Sequence, residues 1–187
     1  MDIKCDFLFH KPILQISEIR TENYLRLDDV DYFVSYLNSE FKSNKGGNSF
    51  VFALYVAQTY DEDAIPERVI KISKYPEPYK NNKIRPKHIN KRFRQEIDAL
   101  YDCKQRNVGN VINISFDGNL VCRTCEDGNY EVSFPFYVME YAEYDLKSFL
   151  EEENEMYDEA SRVELCLQIA QGIKELNDLG YYHRDIK

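Results

Sequence analysis

The chain has 187 residues, enough to bury one sizeable core or two small ones, and its 43% apolar and 30% charged content is that of an ordinary folded domain rather than a disordered one. With 24 basic and 33 acidic residues, the formal charge of -9 disfavours non-specific binding to nucleic acid or an anionic membrane by the chain as a whole. No apolar run is long enough to span a bilayer, and Met1-Asp2-Ile3-Lys4 lacks the basic-then-apolar build of a secretory signal. The five cysteines, Cys5, Cys103, Cys122, Cys125 and Cys166, are odd in number and form no dense framework, which argues for reduced thiols and a cytoplasmic location.

Residues 1–36 mix apolar patches such as Phe7-Leu8-Phe9 with polar spacers and read as an N-terminal extension packed on the main domain. Asp28 and Asp29 suit a helix start, and Val30, Tyr32, Phe33, Tyr36 and Leu37 predict a helix following them. From Phe41 the character changes. Lys45-Gly46-Gly47-Asn48-Ser49 is a turn cluster, and Phe50 to Val56 is rich in strand-favouring residues. Glycines at such a turn let backbone N–H groups approach an anion closely, because no side chain intervenes; the same pairs also mark ordinary hairpins.

Arg68 to Ser73 is a second strand, carrying Lys71 among branched apolar neighbours. Pro76, Pro78 and Pro86 then forbid a continuous helix over 75–87 and predict an inserted basic loop. Phe93, Ile97, Leu100 and Tyr101 recur at helical spacing, with Glu96 beside that apolar face. Val111 to Phe116 and Tyr130 to Tyr141 predict two further strands joined by a turn at Glu126-Asp127-Gly128-Asn129. Cys122 and Cys125 lack a second Cys or His pair at ligand spacing, so a pair of thiols on a strand is favoured over a zinc site. Asp145 suits an N-cap before Leu146 to Leu150. The sharpest local signal is a helix over 162–179. Ser161 and Glu164 form a capping box, Gly180 a stop, and Val163, Leu167, Ala170, Ile173 and Leu176 an apolar stripe. Each large stripe residue left in water forfeits roughly 1.5–3 kcal/mol, which predicts that this helix packs on another copy, another chain or the N-terminal extension.

The chain finishes on His183-Arg184-Asp185-Ile186-Lys187. In this order, after a glycine turn, a strand lysine, a helix glutamate and the run Phe136-Tyr137-Val138-Met139-Glu140-Tyr141-Ala142, it resembles the catalytic loop of eukaryotic-type protein kinases over roughly residues 40–187. The resemblance implies an α+β fold. Residues 37–141 would form a small lobe with an antiparallel sheet, one helix and the hinge, and 142–187 the first helices of an incomplete large lobe. In that frame Asn44, Gly46 and Ser49 fall at the three glycines of the phosphate loop, with Gly47 between them, and Val51 covers the adenine. Two of the three glycines are thus replaced by residues that restrict the backbone more. Val69 takes the place of the usual alanine, Lys71 grips the nucleotide phosphates and Glu96 pairs with it. Met139 is the gatekeeper, Glu140 and Ala142 offer backbone groups to the adenine, and Asp145 contacts the ribose. Asp185 accepts the substrate hydroxyl's proton, and Lys187, typical of serine/threonine kinases, steadies the transferred phosphate.

The resemblance further implies ATP with Mg2+ as cofactors and a protein substrate or regulatory partner, with self-association through the incomplete large lobe as a further expectation. The metal-binding Asn belongs five places after Asp185 and a second metal-binding Asp lies further on; the chain stops before both, so no metal ligand is assigned and negligible phosphate transfer is expected of this polypeptide by itself. A pseudokinase-like nucleotide-binding regulator and a non-catalytic interaction module are the alternative readings.

Overall fold

The computed structural model describes residues 2–9, 24–27, 29–36, 48–61, 63–78, 88–109, 111–124, 131–143, 146–152 and 158–182. These form, in chain order, β1 (Asp2–Phe9), β2 (Tyr24–Leu27), β3 (Val30–Tyr36), β4 (Ser49–Val56), β5 (Arg68–Ser73), β6 (Glu77–Pro78), α1 (His88–Gln105), β7 (Ile114–Thr124), β8 (Glu131–Glu140), α2 (Leu146–Glu152) and α3 (Glu159–Asp178). The class is α+β. The chain divides into two compact units, Met1–Ile97 with Ile114–Tyr141, and Asp98–Asn113 with Ala142–Lys187. No helix among the described residues is long and apolar enough to cross a membrane.

The first unit is built on one sheet in the order β1-β7-β8-β5-β4-β3-β2, with β6 pairing β8 beyond the end of β5. Every pairing within residues 37–141 is antiparallel, as expected, and β1, in the stretch expected to be an extension, runs parallel to β7. Pro135, inside β8, stands between the stretch paired to β5 and the stretch paired to β6, a break in the ladder where a residue without an N–H is tolerated.

Alternation along the strands divides the sheet into two faces. One carries Tyr32, Phe50, Phe52, Leu54, Ile70, Ile72, Phe134, Phe136 and Val138, which together with Leu27 make a core of strand residues alone. The other carries Val51, Ala53, Val69, Lys71, Tyr137 and Met139 in adjacent registers.

The helix expected after Asp28-Asp29 is not formed. Asp29 adopts φ 64° and Leu27 pairs with Val30, so the chain turns back as a hairpin and residues 30–36 become β3. Asp is among the few side chains that accept a left-handed conformation, and Val30, Tyr32 and Val34 alternate with Asp31, Phe33 and Ser35 as a strand requires. Strands β1 to β3 are therefore paired into the same sheet as the rest. Glu77–Pro78, within the proline-rich stretch read as a loop, adds two residues of strand to β8.

In the second unit α3 starts three residues before the expected capping box. Asp158 is the N-cap, its carboxylate accepting a hydrogen bond from the Ser161 N–H at 2.8 Å, which pulls its pKa below the ordinary aspartate value. Gly180 at φ 84° ends the helix as the sequence predicts. Of the apolar stripe, Val163, Leu167 and Ala170 are exposed, and Ile173 and Leu176 half-buried. Tyr181 donates its hydroxyl to Asp102 Oδ2 at 2.7 Å, tying the residues after α3 to the C-terminal turns of α1, where Cys103 is buried.

Two outcomes follow from this packing. Phe136 is wholly buried, so Phe136→Ala should cost about 3–5 kcal/mol in urea unfolding. The hydrogen bond to Asp102, chiefly, raises Tyr181 from 10.0 to about 12. Only the neutral phenol donates, so the bond's contribution is complete below pH 10 and is lost as pH rises through 12. Unfolding midpoints of wild type and Tyr181→Phe, apart at pH 8, should therefore converge over that interval.

Candidate functional site

Three antiparallel strands bring Val51, Lys71 and Tyr137 side by side in one row, and Ala53, Val69 and Met139 in the next. Successive same-face rows lie about 6.6 Å apart, twice the rise per strand residue. One ammonium thus stands beside a band of aliphatic side chains, within which Ala53 and Val69 are buried and Val51 and Met139 half-buried.

An ammonium on such a face needs a counter-charge, and α1 supplies it. Lys71 Nζ donates to Glu96 Oε1 at 2.6 Å, and the Tyr137 hydroxyl donates to the same oxygen at 2.8 Å. The Lys71 ammonium also lies 5.5 Å from the ring centre of Tyr137 and 5.9 Å from that of Phe93, within cation–π range of both. Phe93 precedes Glu96 by three residues and so shares its helix face, packing its ring 5.4 Å from that of Tyr137. Burial above all, and then the neighbouring Glu96 carboxylate, push the Tyr137 phenol far above the ordinary tyrosine range.

The helix is held against the sheet by polar anchors. Buried Asn90 accepts from Ser73 Oγ at 2.7 Å and donates to the carbonyls of Tyr75 and Pro76 at 3.0 and 3.3 Å. One turn on, Arg94 bonds Glu77 Oε2 at 2.9 Å and Asn119 Oδ1 at 2.5 Å, with Asp117 at 3.8 Å. Arg94 is thus a clamp between α1, β6 and β7.

The remaining expected residues are distributed as follows. Ser49 opens β4 and pairs with Ser73. Glu140 ends β8 in an exposed position opposite Arg68, and Ala142, also exposed, begins the second segment of the other compact unit. Asn44, Gly46, Gly47, Asp145, Asp185 and Lys187 lie outside the described residues, as does Cys125. Among the described residues no group of three or more His, Cys, Asp or Glu is placed to hold a metal. Three members of the site escaped the sequence reading: Ala53, Tyr137 and Phe93. Period-two spacing from Val51 points to Ala53 and helical spacing from Glu96 to Phe93, whereas nothing local distinguishes Tyr137 from the other aromatic residues of its strand.

A sheet with one helix whose glutamate meets a strand lysine, followed by two further helices, is the arrangement of a protein-kinase small lobe and the start of a large one. A family model for protein tyrosine and serine/threonine kinases matches residues 80–187, more than half of the chain, and the chain belongs to that family. The match takes in Glu96, the β8 segment and His183 to Lys187, while Lys71 and the Gly46-Gly47 pair precede it. No curated protein matches the sequence.

The shared carboxylate sets an order among substitutions. Lys71 and Glu96 side chains are 21% and 42% exposed, and an ion pair so placed contributes on the order of 1 kcal/mol or less. Lys71→Ala should therefore be mild. Glu96→Ala also strips the buried Tyr137 hydroxyl of its acceptor, and should cost about 1–3 kcal/mol more. Urea unfolding of the two variants checks the order.

Proposed function

We propose that the chain carries the nucleotide site of a cytoplasmic protein kinase that transfers the γ-phosphoryl of Mg-ATP to a serine or threonine hydroxyl of a protein substrate. The observation that carries this reading is the 2.6 Å contact between Lys71 and Glu96 on a sheet face otherwise lined by Val51, Ala53, Val69 and Met139. A fixed ammonium beside a flat aliphatic band suits a ligand with an anionic tail and a planar ring. In this assignment Lys71 draws the nucleotide phosphates to itself, and Glu96 keeps it from folding back to solvent. Val51, Val69 and Ala53 pack against one side of the adenine; Ala53, the smallest residue of its row, leaves room for Val69 where most kinases have alanine. Met139 bounds the rear of the pocket. Glu140 and Ala142 offer backbone groups to the ring edge, and Asp145 takes the ribose.

Gly46 and Gly47, with Asn44 and Ser49 on either side of them in the sequence, are assigned to the phosphates. Mg2+ would supply neutralisation of the phosphate charge. Asp185 is assigned to orient the substrate hydroxyl and accept its proton, and Lys187 to offset charge on the transferring group; Lys187 is also the residue that favours serine/threonine over tyrosine. The exposed Val163 and Leu167 of α3 offer an apolar surface to a protein partner or a second copy.

The test is thermal unfolding of the chain with and without Mg-ATP. The expected result is a rise in midpoint that Lys71→Ala abolishes, about 2.7 kcal/mol of stabilisation at a ligand concentration one hundred times Kd. Phosphate transfer to a protein substrate, lost in Asp185→Ala, would extend the reading from binding to catalysis. No shift at millimolar Mg-ATP would reduce the chain to a kinase-shaped interaction module.

A further inference from the structure

The Lys71–Glu96 contact has a third member that the ion pair alone does not call for. An ammonium and a carboxylate on long side chains, 21% and 42% exposed, hold a fixed geometry poorly, because water competes for both and each keeps several rotamers. The Tyr137 hydroxyl is different in kind. Its ring is 2% exposed, it belongs to a strand paired on both sides, and Phe93 packs against it. A phenol has two side-chain torsions, and both are occupied by packing, so its oxygen is fixed relative to the sheet.

We propose that Tyr137 is a positioning residue for the phosphate-binding lysine: by donating to Glu96 Oε1 at 2.8 Å it fixes the oxygen to which Lys71 Nζ is bonded at 2.6 Å, and so aims the ammonium. The inference rests on the nucleotide reading above and adds to it the group that holds the site in register. Geometry supports it in two further ways. Val51, Lys71 and Tyr137 occupy one row, so the hydroxyl reaches the carboxylate from the strand adjacent to that of the lysine. Asn90 and Arg94 anchor α1 on the side of Glu96 toward its N-terminus, while Tyr137 engages Glu96 itself, so the carboxylate is held both through its backbone and at its tip. Burial keeps the phenol protonated well beyond the ordinary tyrosine range, so the donor is present throughout neutral pH.

Tyr137→Phe tests this, since it keeps the ring and its packing on Phe93 and removes only the donor. Dissociation constants for Mg-ATP, Mg-ADP and adenosine would be measured calorimetrically for wild type, Tyr137→Phe, Glu96→Gln and the double variant. Because the lost hydrogen bond acts on the ligand only through Glu96 and Lys71, part of its worth should reach binding, weakening both phosphate-bearing ligands about 3- to 10-fold and leaving adenosine unchanged, since adenosine makes no use of Lys71. In the Glu96→Gln background, Tyr137→Phe should weaken ATP much less than it does in wild type, since the two residues act as one unit. Equal ATP affinity in wild type and Tyr137→Phe, or a parallel loss for adenosine as expected of a distorted sheet, overturns the positioning role while leaving the nucleotide site intact. Failure of wild type to bind any of the three ligands overturns the nucleotide reading and the inference with it.

Discussion

A positive charge on the middle of a packed sheet is a problem that the rest of the first unit is arranged to solve. Lys71 sits on β5, between β4 and β8, where most neighbouring positions are aliphatic or aromatic. Leaving its ammonium without a partner there would cost desolvation with nothing in return, and water reaches it only in part. Glu96 meets that need, but only if α1 lies at the right height and rotation over the sheet. Asn90 and Arg94 provide that placement one and a half turns and half a turn before it, using buried and half-buried hydrogen bonds to β5, the turn after it, β6 and β7. Such bonds contribute only about 0.5–1.5 kcal/mol each, yet leaving their buried groups unpaired costs more. They therefore specify where the helix sits more than they decide whether it forms.

The two faces of the sheet are specialised by the same alternation. Residues at Phe50, Phe52, Ile70, Ile72, Phe136 and Val138 bury a core made of strand side chains, which is where stability resides. Their neighbours in sequence, Val51, Ala53, Val69, Lys71, Tyr137 and Met139, point the other way and compose the candidate site. A shift of one residue in the pairing of β5 would send Lys71 into the core and Ile70 and Ile72 out of it, so the register of the site is enforced by the hydrophobic cost of every alternative. Stability and chemistry are thus separated by a single residue along each strand, and substitutions on the two faces differ in what they disturb.

Much of this was readable locally. The strands around Phe50 and Lys71, the helix carrying Glu96, the β8 run and the Gly180 stop all have strong periodicity or punctuation, and the structure forms them. Where the reading failed, two local patterns competed. Val30, Tyr32, Phe33 and Tyr36 fit a helical face, while Val30, Tyr32 and Val34 fit an alternating strand, and the choice fell to pairing with β4 and the left-handed turn at Asp29. Ser161 and Glu164 spell a capping box, but Asp158 is an equally good cap and lies one turn earlier, and a longer helix gains three more residues of backbone bonding. The stripe of α3 predicts a face in need of a core, and in the described structure its first half, Val163 and Leu167, is exposed.

The sequence by itself determined the kinase family, through the order of its motifs, and through that resemblance the pairing of Lys71 with Glu96. Tertiary structure decided the rest: the row that sets Tyr137 beside Lys71, the meeting of two donors on one Glu96 oxygen, and the clamp that Arg94 forms with Glu77 and Asn119. The reason is physical. Periodicity records which face a side chain takes, since burial acts on each residue separately. Which residue on another strand or helix it meets depends on register and helix placement, and these are set by the whole sheet at once.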